Sequence, residues 1–304
     1  MVESEENPRS VKIADEIAAT RQVLECAGYS ISNLSWGPED APPVLCMHGL
    51  GGQGANFAAL AGELADDYRV IAPDMIGRGR SQPADDPAAE YSFQTYQAII
   101  LDLLDQLEID RLAWIGVSMG GALGIRMAGS VLRDRIAGLI LNDIGPALDD
   151  EVVARIIAAM DGPKSFTTLA ELTRYFKTAF GQFGMVPPAG ISWRDIAIQG
   201  SVGDRSGGYR LHFDPAVARQ LELHRSDYDT RESFAATTCP VLVFRGAHSD
   251  VLTSETLAAM QAAKAGIEIV TVPDMGHTPF LDRVQDREHI SQFLASHLGG
   301  GEAG

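Results

Sequence analysis

A serine becomes a nucleophile near neutral pH only if a base lies within hydrogen-bond reach and a third group fixes that base's tautomer. This chain carries candidates for all three. Ser118 stands at the centre of Gly116-Val117-Ser118-Met119-Gly120. An apolar, β-prone run over residues 112–115 precedes it, and a small-residue stretch over 121–129 with helical character follows. Strand, sharp turn and helix with serine at the apex is the arrangement that lifts a hydroxyl clear of a sheet, and glycines two residues to either side let the backbone bend there. The five-residue pattern alone is weak, so its partners must be found elsewhere in the chain.

Five of the seven histidines have other places: His289 and His297 fall on a terminal helix, His212 and His224 in a helical middle segment, and His48 directly after a strand. His277 stands apart, in Pro273-Asp274-Met275-Gly276-His277-Thr278-Pro279, a loop just past the last expected strand. That is the carboxyl edge at which α/β sheets place their sites, and His277 is the candidate base. For the acid, Asp250 ends the loop Arg245-Gly246-Ala247-His248-Ser249-Asp250 at the same edge. The order Ser118, Asp250, His277 is the one expected of this nucleophile turn, so Asp250 is the expected acid. Asp143, in Leu141-Asn142-Asp143-Ile144-Gly145-Pro146, follows the strand after the nucleophile and is the alternative. A tetrahedral intermediate also needs donors aimed at its oxyanion. The backbone N–H of Met119 is one candidate, and that of Leu50, in the turn after the strand at 44–47, is the other.

The elements that would position these residues alternate. Strands are expected at 21–26 and 30–36, as a hairpin, then at 44–47, 69–72, 112–115 and 136–141, with helices at 55–65 and 92–108. After Pro146 the alternation stops. Residues 147–234 read as helix and loop, with no convincing buried strand and many aromatic residues, among them Phe166, Phe176, Phe180 and Trp193. The sheet pattern resumes with strands at 240–244 and 267–272 and helices at 254–263 and 284–298. The expected organisation is therefore an N-terminal arm (1–20), an α/β core (21–146 and 235–298), a helical lid inserted at 147–234, and a tail (299–304). Strands alternating with helices imply a doubly wound, mostly parallel sheet.

Composition bounds the function. The chain has 304 residues, 45% of them hydrophobic, and a formal charge of −17. So acidic a surface repels phosphate backbones and anionic headgroups, which disfavours nucleic-acid and membrane-surface roles. No apolar run is long enough to span a bilayer. The acidic N-terminus lacks the features of a signal peptide, and three widely spaced cysteines (Cys26, Cys46, Cys239) in apolar runs suit a reducing compartment, so a cytoplasmic protein is expected. No metal site is expected. A competing fingerprint exists: Gly49-Leu50-Gly51-Gly52-Gln53-Gly54 fits a dinucleotide-binding turn, with Asp74 twenty residues beyond Gly54. That reading leaves Ser118 and its partners unexplained. The alternative makes 48–52 an oxyanion turn and Asp74 a loop-organising carboxylate paired with Arg78 or Arg80.

On the His48-Gly49 turn, residues 74–81, Gly116 to Gly121, the Asp250 loop and Gly276-His277, the chain resembles the α/β-hydrolase superfamily over about residues 21–298. The resemblance implies an eight-stranded sheet, a cap after the sixth strand, a Ser-His-Asp triad and no cofactor. Serine at the nucleophile position argues against the dehalogenase and epoxide hydrolase branches, which carry aspartate there. Many relatives have arginine where this chain has Ile76. Carbon–carbon bond hydrolases of ring-cleavage pathways usually carry asparagine before the serine and a more glycine-rich oxyanion turn, where this chain has Val117 and His48 to Gly52. The expected activity is hydrolysis of a small apolar ester or lactone by a monomer or homodimer. Carbon–carbon bond hydrolysis, or a slow or non-catalytic small-molecule receptor on the same scaffold, is the alternative.

Overall fold

The computed structural model describes residues 19–204 and 207–298. The main sheet has eight strands in the order β1-β2-β4-β3-β5-β6-β10-β11. These are β1 (Thr20–Cys26), β2 (Tyr29–Trp36), β3 (Pro43–Met47), β4 (Arg69–Pro73), β5 (Leu112–Val117), β6 (Ile136–Asn142), β10 (Val241–Gly246) and β11 (Glu268–Val272). The β1–β2 hairpin and the β2–β4 pairing are antiparallel, and every other pairing is parallel. The eight strands lie where the sequence places them, and the arm expected at 1–20 and the tail at 299–304 fall almost wholly outside the described residues.

The inner parallel strands β3, β5 and β6 are almost wholly apolar because both of their faces are covered, whereas the edge strand β11 exposes Glu268 and Thr271. On β5, Leu112 and Trp114 point into one core layer with helices α3 (Phe93–Gln106) and α4 (Met119–Ala128). Ala113 and Ile115 point into the other, with α1 (Ala58–Leu64) and α11 (Val284–His297). Two short helices complete the surface of the core, α2 (Pro87–Glu90) and, after β10, α10 (Ser254–Ala263). The three cysteines are free and buried. No described helix is long and apolar enough to cross a membrane.

Between β6 and β10 the chain leaves the sheet. The insertion holds α5 (Asp150–Met160), α6 (Leu169–Gly181), α7 (Trp193–Gln199), α8 (Gln220–Leu223) and α9 (Arg231–Ala236). It also holds a three-stranded antiparallel sheet, β7 (Ser165–Phe166), β9 (Tyr209–Leu211) and β8 (Ser201–Gly203), which the sequence reading did not expect. Strands of two or three residues are too short for alternation to show as a period. The insertion is tied down at its base: Thr230 N–H donates to Pro146 O at 2.7 Å, and the Arg126 guanidinium donates to the carbonyls of Ser226 and Asp227.

The glycines around Ser118 serve close approach. The left-handed backbone belongs to the serine itself, at φ 49°, and not to its glycine neighbours. A Cβ on Gly116 would lie 2.5 Å from the carbonyl oxygen of Gly120, and a Cβ on Gly120 would lie 2.2 Å from that of Met47. Gly120 thus lets α4 press directly onto β3. Gly120→Ala is expected to lower stability by about 1–3 kcal/mol in urea unfolding. Gly203→Ala, where a Cβ meets nothing within 4 Å, should stay within about 0.5 kcal/mol of the parent. Equal effects would contradict the contact.

Candidate active site

Ser118 occupies the turn between β5 and α4. Its N–H donates to Asn142 O on the neighbouring strand at 3.1 Å, and its carbonyl accepts from the N–H groups of Gly121 and Ala122. Fixed at both ends with φ 49° and ψ −114°, the serine projects from a sparsely populated conformation. The Ser118 hydroxyl lies 3.0 Å from Nε2 of His277, and Nδ1 of His277 lies 2.7 Å from Oδ2 of Asp143. With Nδ1–H donating to the carboxylate, Nε2 is left as the acceptor for the serine proton. This is the tautomer a general base requires.

Asp143 is fully buried, at φ 56°, one residue beyond the end of β6. Its Oδ1 accepts from Gly246 N–H at 2.9 Å, and its Oδ2 accepts from Ser249 Oγ at 2.5 Å as well as from His277. The expected acid, Asp250, is elsewhere. Its half-exposed carboxylate meets Nη1 of Arg155, on α5, at 2.7 Å, and that hydrogen bond holds its pKa below the ordinary carboxylate value. The assignment of Asp250 is therefore corrected to the alternative, Asp143. The local reason is the shape of the loop after β10. Arg245 donates to the carbonyls of Ser249 and Leu252 and curls the loop, turning Ser249 inward onto Asp143 and Asp250 outward toward the insertion. The signal missed was Arg155, a cation on α5 able to claim the exposed carboxylate.

The loop carrying His277 is braced from two sides. Asn142 Nδ2 donates to Pro279 O at 2.7 Å from the core. From the insertion, Phe183 O accepts from His277 N–H at 2.9 Å and Gly184 O accepts from Gly276 N–H at 2.8 Å. On the other side of Ser118 lies the 48–52 turn, closed by Gly52 N–H donating to Gly49 O at 3.0 Å. A Cβ built on Gly49 would touch Cβ of Ser118 at 3.6 Å, and both Leu50 and Met119 border the cavity in front of the serine. Met119 opens α4, where a first-turn N–H has no intrahelical acceptor. These are the positions at which two backbone donors could meet an oxyanion.

Asp74 accepts from Gly54 N–H at 2.7 Å and from Arg80 N–H at 3.0 Å, and its guanidinium partner is Arg21, at 3.8 Å. The pairing expected with Arg78 is absent, and Arg80 contributes its backbone, not its charge. The dinucleotide fingerprint is explained by the same contacts. Gly54 is glycine because a Cβ would strike Ala72 O at 2.2 Å, and the aspartate twenty residues on is buried against Gly54 with no free edge for a ribose.

The cavity over Ser118 measures about 280 Å³ and is mostly apolar. The insertion supplies Ile156, Met160, Phe176, Phe180, Phe183 and Met185 to its wall. Two histidines border it besides His277. His48 accepts from Met75 N–H on Nε2 at 3.0 Å and donates from Nδ1 to Gly49 O at 2.7 Å; burial, then the Arg78 charge, pushes its pKa down to about 3. His212, whose Nδ1 has no partner, is pushed down to about 4, chiefly by burial. Both are neutral imidazoles.

The sequence pattern of the alpha/beta hydrolase fold matches residues 42–284. The 3-hydroxybutyrate-oligomer hydrolase of Cupriavidus necator is 37% identical over 279 residues, which are 87% of this chain and 93% of the relative. An alpha/beta hydrolase from Novosphingobium aromaticivorans superposes with a TM-score of 0.79 at 31% identity, covering 91% of this chain and 98% of that one. The 2-(acetamidomethylene)succinate hydrolase of Mesorhizobium japonicum is 25% identical over 78% of this chain and 81% of its own length.

Two outcomes follow from this geometry. Asp143→Asn is expected to lower turnover of any substrate attacked by Ser118 about 10⁴-fold, and Asp250→Asn by no more than about threefold, in steady-state assays. The reverse ranking would restore Asp250. For the neutral histidines, the unfolded chain binds protons near pH 6.5, whereas the folded chain binds them only near about 4 and 3. Stability is therefore undiminished above about pH 6.5 and falls as pH drops toward about 4, by up to about 1.4 kcal/mol per pH unit for each histidine. His212→Gln should flatten that slope in urea titrations, and an unchanged slope would contradict the assignment.

Proposed function

The chain belongs to the α/β-hydrolase fold family, and from that premise we propose that it is a serine hydrolase cleaving carboxylic esters or lactones through an acyl-enzyme on Ser118. The observation that carries this reading is the unbroken hydrogen-bonded chain from Ser118 Oγ through His277 to Asp143. Ser118 attacks the carbonyl carbon while its proton passes to Nε2 of His277. The imidazolium so formed faces the Asp143 carboxylate, which Gly246 and Ser249 hold in place. The carbonyl electron pair becomes an oxyanion facing the N–H groups of Leu50 and Met119. Collapse of the intermediate expels the alkoxide, which takes the proton from His277. Water, deprotonated by the same imidazole, then attacks the acyl carbon; the bond from that carbon to Ser118 Oγ breaks, Oγ takes the proton back from His277, and the acid is released.

The insertion acts as a cap, and its apolar wall and the modest cavity favour a short, uncharged substrate. The likeness to an enzyme named for 3-hydroxybutyrate oligomers, over most of both chains, makes short linear oligoesters of small hydroxy acids the first class to test. His212, a neutral imidazole with an unpartnered ring nitrogen at the cavity wall, suits a substrate with polar groups along an otherwise apolar chain.

The test is a panel of p-nitrophenyl esters of short acids, small lactones and hydroxy-acid oligoesters. At least one ester or lactone is expected to turn over, and Ser118→Ala should lose about 10⁴-fold or more of that rate. Equal rates for the two proteins would refute the nucleophile, and no turnover across the panel would refute the substrate class.

A further inference from the structure

Arg78 is a fully buried guanidinium with no carboxylate partner among the described residues. The nearby acids are engaged elsewhere. Asp74 is held by Gly54, Arg80 and Arg21; Asp214 accepts from Tyr91 Oη and Ala216 N–H; Asp227 accepts from Phe93 N–H. A buried cation without a counter-ion is costly, and this one sits in a specific place. Its Nε donates to Leu50 O at 3.0 Å, and its Nη2 approaches Met119 Sδ at 3.3 Å. Its Nη1 donates to Ile76 O and to Tyr96 Oη, both at 2.7 Å, and its Cζ lies 5.1 Å and 5.4 Å from the ring centres of Tyr96 and Tyr91. The guanidinium thus contacts Leu50 through its carbonyl and Met119 through its sulfur, the two residues proposed above as oxyanion donors.

We infer that Arg78 is a positioning residue of the oxyanion site, setting Leu50 and Met119 in place and supplying the positive charge that the tetrahedral intermediate compensates; this rests on the ester-cleavage reading above. It does not border the cavity and touches no substrate, so it acts through its two neighbours and through its field. Before attack the substrate is neutral and the cation is unbalanced. When the Ser118 Oγ–carbon bond forms, the carbonyl π pair becomes an alkoxide and the serine proton moves to His277, so a negative charge appears only then. An interaction gained in the transition state and absent in the ground state raises kcat and leaves KM unchanged. The field reaches the cavity, since the Arg78 charge is among the causes that keep His48 and His212 neutral.

The experiment compares the full-length parent with Arg78→Met, of similar length and neutral, and Arg78→Lys, using an ester the parent hydrolyses. Alongside kcat and KM it measures binding of an alkyl boronic acid, which forms a tetrahedral anion on serine, and of the matching uncleaved alkyl amide. Arg78→Met should lose about 100-fold in kcat and in boronate affinity, with KM and amide affinity held within about threefold. Arg78→Lys should recover at least about a tenth of the parent kcat, with the same split between boronate and amide. If the methionine variant does not fold, the lysine variant is read on that split alone. A kcat for Arg78→Met within about threefold of the parent, or parallel losses of boronate and amide affinity in either folded variant, would overturn the inference. A parent that neither cleaves an ester nor binds the boronate would instead overturn the ester reading, and this inference with it.

Discussion

The carboxylate of Asp143, buried at the end of β6 and held by three donors, is the constraint on which the site depends. Gly246 reaches it from β10, Ser249 from the following loop and His277 from the loop after β11. The donors come from two segments of chain far from Asp143 in sequence, so the sheet must be assembled before the carboxylate is satisfied. Once it is, the imbalance between its two faces fixes the imidazole: Nδ1 is committed to the carboxylate, and Nε2 can face only Ser118. The serine is committed as well, by its hydrogen bond to Asn142, the residue immediately before Asp143. Ser118 and His277 are thus referenced to two adjacent residues, Asn142 and Asp143, at the end of one strand.

That arrangement leaves Asp250 with a different task. Its pairing with Arg155 joins the loop after β10 to the first helix of the insertion, while Phe183 and Gly184 join the insertion to the backbone of the His277 loop. The insertion therefore walls the cavity and also holds the His277 loop in register. An exposed ion pair contributes little to stability by itself, whereas the two backbone hydrogen bonds sit at the site.

Much of this was legible in the sequence because the relevant patterns are long or local. Eight strands show as apolar runs or alternation, and the Gly116–Gly120 turn, the His277 loop and the 48–52 turn all fall at strand ends. Asp143 against Asp250 was not legible, because both sit at the same sheet edge and the choice between them is made by tertiary contacts. Arg245 curls one loop, and Arg155 lies 95 residues away from Asp250 in the chain. The three short strands of the insertion carry too few residues to show a period. The sequence pairs Asp74 with Arg78 or Arg80 because charge complementarity along a loop is visible there, whereas the direction in which a side chain is buried is not.

The family and the hydrolase class rest on the whole chain, and the proposed chemistry rests on one covalent bond. The most direct measurement is peptide mapping by mass spectrometry after mixing the protein with a chromogenic ester and quenching in acid within a turnover. The account predicts the mass of the acyl group on the peptide containing Ser118, lost on longer incubation before the quench. An enzyme that hydrolyses the ester with no acyl adduct, or with the adduct on another residue, would contradict it.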